Sequence, residues 1–154
     1  MSPTITLERP DHPDAILLID ELENELEQFY PDESRHGLSV EQLIELKVAF
    51  FMVRQDGIPA ACGGVQFFNG EYGEVKRMYV RPQFRGLGLA KMILERIAEH
   101  TRENGIHLLR LETGIHQKDA MALYEKWGFH SIGPFGEYED DPLSRFYEKQ
   151  IDKA

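Results

Sequence analysis

Between Val80 and Ala90 the chain reads Val-Arg-Pro-Gln-Phe-Arg-Gly-Leu-Gly-Leu-Ala, and a helical pattern begins inside it with no Ser, Thr, Asp or Asn to cap it. Every helix start leaves about four backbone N–H groups without an internal partner. Usually a side-chain oxygen takes one of them; here nothing in the sequence does. Gly86 and Gly88 remove Cβ atoms, so a ligand can reach the backbone, and the helix dipole places partial positive charge at that end. Free donors, bare backbone and a favourable dipole describe an anion site, most naturally for phosphates. From Val75 to Leu94 the chain carries Lys76, Arg77, Arg81, Arg85 and Lys91 and no acid. A tight strand-to-helix connection with solvated basic side chains is the plainer explanation of the same glycines. The missing cap and the island of positive charge weigh against it.

Other phosphate and nucleophile chemistries fit less well. A dinucleotide-binding Gly-x-Gly-x-x-Gly turn needs a third small residue, and Lys91 stands in that place. Such a turn also follows its strand directly, whereas Arg81 to Arg85 intervene here. Glu112 does stand about where a ribose-binding acid belongs, so an oxidoreductase reading stays open. No Gly-Lys-Ser/Thr follows, which excludes a P-loop. The histidines show no metal-ligand spacing; His12, His100 and His130 are expected at the surface, and so is His116, with a place in the lining of the cleft as the alternative. Cys62, the single cysteine, excludes an intramolecular disulfide or a multi-thiolate metal site, and reads as a small buried residue. Ser34-Arg35-His36 lacks the sharp turn a nucleophilic serine needs.

The elements that must position these residues follow from periodicity. Thr4–Glu8 alternates as a short strand. Ala15, Leu18, Ile19, Leu22, Leu26 and Phe29 recur at helical spacing up to Tyr30-Pro31, where the residue before proline leaves the helical region. Ser39 with Gln42 predicts a capping box and a short helix near residues 40–45. Lys47–Gln55, Ile58–Phe68 and Glu71–Val80 are strands joined by Asp56-Gly57 and Asn69-Gly70, dipeptides that supply the positive φ of tight hairpins. A helix from about Gly86 to Asn104 carries Ala90, Ile93, Leu94, Ile97 and Ala98 on one stripe. The strand His107–Thr113 follows, and the long helical connection makes it parallel to its predecessor. A last helix holds Ala120, Leu123, Tyr124 and Trp127, and strands near Phe129–Ile132 and Ser144–Ile151 complete the chain. The expected fold is α/β, with a mixed sheet of about six or seven strands, an antiparallel N-terminal meander, a parallel central pair, and helices on both faces.

With 154 residues, the chain is read as one domain spanning residues 1–154. A net charge of −10 argues against nucleic-acid partners and against docking on anionic membranes. No apolar run is long enough to span a bilayer. A soluble, cytoplasmic setting is the expectation, with no metal and with a monomer or homodimer as the assembly.

Gln83-Phe84-Arg85-Gly86-Leu87-Gly88 resembles the Gln/Arg-x-x-Gly-x-Gly/Ala signature of the GNAT superfamily, the acetyl-CoA-dependent N-acetyltransferases, and Arg85–Ala90 fits it in a shifted frame. Glu74–Val80 looks like the strand these enzymes place before that turn. Ala120-Met-Ala-Leu-Tyr-Glu-Lys-Trp-Gly-Phe129 resembles their second motif. The order of elements is also theirs, and Leu111–Gly114 with Pro134–Tyr138 and Asp141–Ser144 looks like a bacterial subgroup whose acceptors are mostly unassigned.

The resemblance implies coenzyme A as the phosphate ligand. Its pyrophosphate would lie on the amides of Arg85, Gly86, Leu87, Gly88, Leu89 and Ala90, and its pantetheine along Met78, Tyr79 and Val80, with the Val80 amide near the thioester carbonyl. Gln117 stands where family members often carry an Asn that holds the cofactor arm. Tyr124 is implied as the general acid, against a plain core role. Glu74 and Glu112 are the candidate bases; alternation does not decide which faces the slot until the bulges are known. The connection between the first two helices often walls the acceptor site in this superfamily. This makes Tyr30, Arg35 and His36 candidate substrate contacts, Arg35 for an acceptor carboxylate. The implied activity is direct acetyl transfer from acetyl-CoA to a primary amine of a small molecule. A protein N-acetyltransferase and a CoA-binding sensor without turnover are the alternatives. The acidic Glu137–Asp141 loop would favour a cationic acceptor.

Overall fold

The computed structural model describes residues 2–152. Seven strands form one sheet in the order β1-β2-β3-β4-β5-β7-β6. They span Thr4–Glu8, Ala49–Gln55, Ile58–Phe68, Tyr72–Val80, Leu108–Gly114, His130–Ile132 and Ser144–Gln150 in chain order β1 to β7. Neighbours are antiparallel except β4 and β5, which are parallel. Helices α1 (Pro13–Glu27) and α2 (Val40–Glu45) precede the meander, and α3 (Leu89–Glu103) and α4 (Lys118–Trp127) follow it. Among the described residues no helix is long and apolar enough to cross a membrane.

Local chemistry accounts for the elements. Pro13 opens α1, and His12 caps it by accepting the Asp14 N–H on Nδ1 at 3.0 Å. The Ser39–Gln42 capping box starts α2, with Ser39 N–H donating to Gln42 Oε1 at 2.9 Å and Gln42 N–H to Ser39 Oγ at 3.2 Å. Both hairpins turn through paired positive φ, at Asp56 and Gly57 (55° and 80°) and at Asn69 and Gly70 (53° and 72°).

The sheet carries a core on each face. Leu18, Ile19, Leu22 and Leu43 of α1 and α2 pack on Phe50, Met52, Cys62 and Tyr79. Ile93, Leu94 and Ile97 of α3 and Tyr124 of α4 pack on Phe51, Val53, Val65, Leu109 and Leu111. Each large apolar side chain fully removed from water contributes about 1.5–3 kcal/mol. A third cluster, Tyr72, Phe135 and Phe146, anchors the β6–β7 connection.

Two irregularities in β4 shape the cleft. Cys62 pairs with Tyr79 but Gly64 with Lys76, so Arg77 and Met78 together oppose Gly63. This is a β-bulge, with Arg77 in the left-handed region at φ 56°. It inverts the alternation. Glu74 and Lys76 face the α1 side before it, while Met78 and Val80 face α3 after it. Second, β4 and β5 pair only at Gly73–Leu109 and Glu74–Arg110. Beyond that point the strands separate.

Two helix boundaries differ from the sequence expectation. α1 ends at Glu27, before Tyr30. α3 begins at Leu89, because Gly86 and Gly88 adopt φ 85° and 78°, outside helical space. A 3₁₀ turn over Pro82–Phe84 carries the chain into that loop. The outer strand at the C-terminal side is β6, since β7 lies between β5 and β6.

Candidate active site

A cleft of about 740 Å³ opens where β4 and β5 part. It is bounded by the C-terminal end of α1, the connection from Gln28 to Ser39, the start of α3 and α4, and Tyr138 from the β6–β7 connection. Its size lies within the range of small-molecule sites.

One end is made of backbone. Among the described residues no protein acceptor takes the amides of Gly86, Leu87, Gly88, Leu89, Ala90 or Lys91; Met92 is the first α3 residue whose N–H is bonded, to Gly88 O at 3.1 Å. Gly88 is the N-cap and offers no side chain. A Cβ at Gly86 or Gly88 would meet no protein atom within 4 Å, so these glycines serve the positive φ and leave open space above the amides. Unbonded donors at the positive end of a fifteen-residue helix fit a diphosphate. Leu87 contributes only its backbone, its side chain being 58% exposed and outside the cleft lining.

The basic island does not serve this end as the sequence suggested. Arg77 Nη2 contacts Glu23 Oε1 at 2.8 Å, Arg81 Nε contacts Glu21 Oε1 at 3.1 Å, and Arg85 Nη2 contacts Glu25 Oε1 at 3.1 Å. Three acids of α1, on the two flanks of its buried stripe, thus take up three of the five cations, an arrangement invisible until α1 is laid beside β4. Arg85 also donates from Nε to Val80 O at 3.0 Å, tying the glycine loop to the end of β4. Lys91 lines the cleft.

Tyr124 projects from α4 and is 5% exposed. It touches Phe129 and Tyr147 edge-on or tilted, yet its hydroxyl has no protein partner among the described residues, and it lines the cleft. Burial, and secondarily the charge of Glu112, raise its pKa above the ordinary tyrosine value. The phenol therefore keeps its proton across neutral and mildly alkaline pH. Met78 and Val80 pack against the same core from β4. Tyr79 turns to the α1 side and donates to Glu21 Oε1 at 3.1 Å.

The two carboxylates both face the α1 side. Glu74, 3% exposed, contacts Lys76 Nζ at 2.8 Å and accepts the Tyr138 hydroxyl at 2.5 Å. Lys76 also donates to Tyr138 OH at 3.1 Å. Glu112 has a single neutral partner, accepting from Ser144 Oγ at 2.9 Å. Burial raises the Glu112 pKa above the usual carboxylate range, partly opposed by the Ser144 hydrogen bond.

The connection after α1 forms a strap over this end. Tyr30 accepts the His116 N–H at 2.8 Å and donates to Gln117 Oε1. Its hydroxyl fits only because residue 114 is glycine; a Cβ there would lie 2.0 Å from it. Ser34 Oγ donates to Asp141 Oδ2 at 2.6 Å, and His36 packs at 86° on the Tyr138 ring, 5.2 Å between centroids. Gln117 thus lines the cleft while holding the strap. His116 is exposed at the rim of the cleft, where it stacks on Phe29 with 5.3 Å between ring centroids.

Arg35 lines the cleft at this end, its side chain paired with acids. Its guanidinium contacts Glu23 at 3.0 Å, Glu27 at 3.7 Å and Asp32. Its Nε is buried without a partner. The sequence reading assigned no role to Tyr138 or Ser144, and placed Lys76 only in the basic island. Lys76 was legible as two residues from Glu74 on one strand face. Tyr138 reaches Glu74 from 64 residues away and left no local signal.

The acetyltransferase (GNAT) family profile matches residues 18–129. An IAA acetyltransferase of Azospirillum brasilense is 42% identical over 149 residues, covering 96% of this chain and 97% of that one. The chain belongs to the GNAT acetyltransferase family. An uncharacterised N-acetyltransferase of Bacillus subtilis, YsnE, is 31% identical over 89% of this chain and 92% of its own. The crystal structure of a candidate acyl-CoA N-acyltransferase from Klebsiella pneumoniae superposes with a TM-score of 0.83 at 35% identity, covering 97% of both chains. The PaiA N-acetyltransferase of Thermoplasma acidophilum, solved with coenzyme A, shares the fold at a TM-score of 0.76 and 17% identity, over 97% of this chain and 99% of that one. This protein is therefore an N-acetyltransferase of the GNAT type. The glycine turn and the α4 helix, the two segments that carried the sequence resemblance, border the same cleft.

Proposed function

We propose that this GNAT protein transfers the acetyl group of acetyl-CoA directly to a primary amine of a small molecule, both substrates being bound together in the cleft. The observation that carries the reading is the parting of β4 and β5 between the unbonded amides of Gly86–Lys91 and the enclosed polar end around Glu74 and Glu112. The amides and the glycine loop would hold the diphosphate, and the free edge of β4 at Met78–Val80 would lie along the pantetheine arm, as an added strand does. Gln117 borders the same path.

Acetyl-CoA supplies an activated acetyl group as a thioester. The protein must manage two protons. An alkyl ammonium, with pKa near about 10, is not a nucleophile. Glu112 takes its proton: it lies past the last β4–β5 pair, has a neutral hydroxyl as its one hydrogen-bond partner, and burial has made it more basic. Glu74 is less suited, because Lys76 and Tyr138 already hold its Oε2. Tyr124 gives its proton to the departing sulfur, its free hydroxyl and raised pKa leaving that proton available. Tyr30 and His36 shape the acceptor end; Arg35 holds the strap to α1.

Two measurements test this. Calorimetry should detect binding of coenzyme A, and thiol release from acetyl-CoA should depend on an added small amine. Binding of coenzyme A without turnover on any amine would instead identify a ligand sensor.

A further inference from the structure

The acceptor end is short of positive charge that is free to act. Arg35 is consumed by Glu23, Glu27 and Asp32. Arg77 is consumed by Glu23 and by Leu38 O, which its Nε meets at 3.0 Å. Lys76 is held by Glu74 at 2.8 Å and by the Tyr138 hydroxyl at 3.1 Å. Its ammonium lies 5.6 Å from the centre of the Tyr138 ring. His36 is packed at right angles on that ring. Glu112 has the neutral Ser144 hydroxyl as its one hydrogen-bond partner, Lys76 and His36 acting on it only through space, and Asp141, bonded to Ser34 and to the Leu143 N–H at 2.8 Å, closes the strap above.

We infer that the acceptor is a cationic amine that carries no carboxylate, its ammonium received by Glu112 beneath the Ser34–Asp141 and His36–Tyr138 contacts. The inference rests on the acetyl-transfer reading above and narrows it. An α-amino acid would bring a further anion beside Glu112, and with Lys76 already paired to Glu74 its one ammonium would answer both its own carboxylate and Glu112. A buried charge without a partner costs far more than a paired one gains. The same acceptor without its carboxylate meets Glu112 with its charge matched.

Pairs of compounds differing only by that carboxylate isolate the claim: phenethylamine and phenylalanine, histamine and histidine, cadaverine and lysine. Each is titrated by calorimetry into the protein saturated with coenzyme A, so the readout needs no turnover. The expected result is tighter binding of the amine member, by about 10²-fold in the pairs that bind, and a gap reduced about tenfold in Glu112→Gln. Equal binding, tighter binding of the amino acid, no heat from any amine at millimolar concentration, or a gap untouched in Glu112→Gln overturns the inference and leaves the transferase reading intact. Failure of coenzyme A itself to bind overturns that reading, and the inference with it.

Discussion

At the α3 end of the cleft the groups available to a ligand are consecutive backbone amides, Gly86 to Lys91. At the β4–β5 end they are a carboxylate, a phenol and an ammonium brought together from β4, β5 and the β6–β7 connection. The first end needs only a local conformation: two positive-φ glycines and a helix start. The second needs the whole sheet order, a bulge and two crossing loops. A single set of amides suits a donor with constant phosphates, whereas an assembled set of side chains can be rebuilt for each acceptor without disturbing the donor end.

The two ends should separate in experiment. Tyr124→Phe is expected to lower kcat by about 10²–10⁴ while leaving the Kd for coenzyme A unchanged. An unaltered kcat would return Tyr124 to the core. Glu112→Gln is expected to cost about 10² in kcat/KM and to erase the acidic limb of its pH profile. The sign follows from the raised pKa: the basic form of Glu112 appears only as pH climbs through a value above 4.5, so wild-type activity falls as pH drops toward that window. An acidic limb that persists in the variant would assign the base elsewhere. Gly88→Val places a branched side chain at φ 78° above the amides. The loss of one or two N–H contacts to a charged group, worth about 1.5–3 kcal/mol each, predicts coenzyme A binding weaker by about 10²-fold. Acceptor affinity would follow only through ordered binding. Ser34→Ala, which loosens the strap by one hydrogen bond, is expected to raise the acceptor KM by up to about tenfold with the coenzyme Kd constant. A shift in the coenzyme Kd instead would break the division between the ends.

The same contrast explains what the sequence made legible. Hairpins announced themselves through Asp56-Gly57 and Asn69-Gly70, and α2 through Ser39 and Gln42, because each depends on neighbours in the chain. The amide cradle was readable for the same reason, although its helix begins three residues later than the periodicity suggested, since left-handed glycines cannot propagate helix. The acceptor end was readable only in part. Glu74 and Glu112 could be named, but the bulge at Arg77 decides their face, and nothing in Lys76-Arg77-Met78 marks it. The ion pairs of Arg35, Arg77, Arg81 and Arg85 with α1 are long-range. Counting charge along the chain therefore overestimated what remained to attract phosphate.

Arg77 sits in a conformation that costs an L-residue about 1–2 kcal/mol, and its guanidinium is anchored to Glu23 and Leu38 O. Loss of one residue there would restore strict alternation and rotate half of β4: Glu74 and Lys76 would keep their outlook only if Met78 and Val80 exchanged sides with Tyr79. One surplus residue thus lets a single ribbon serve two clients, presenting acid and ammonium to one chamber and a greasy rail to the other.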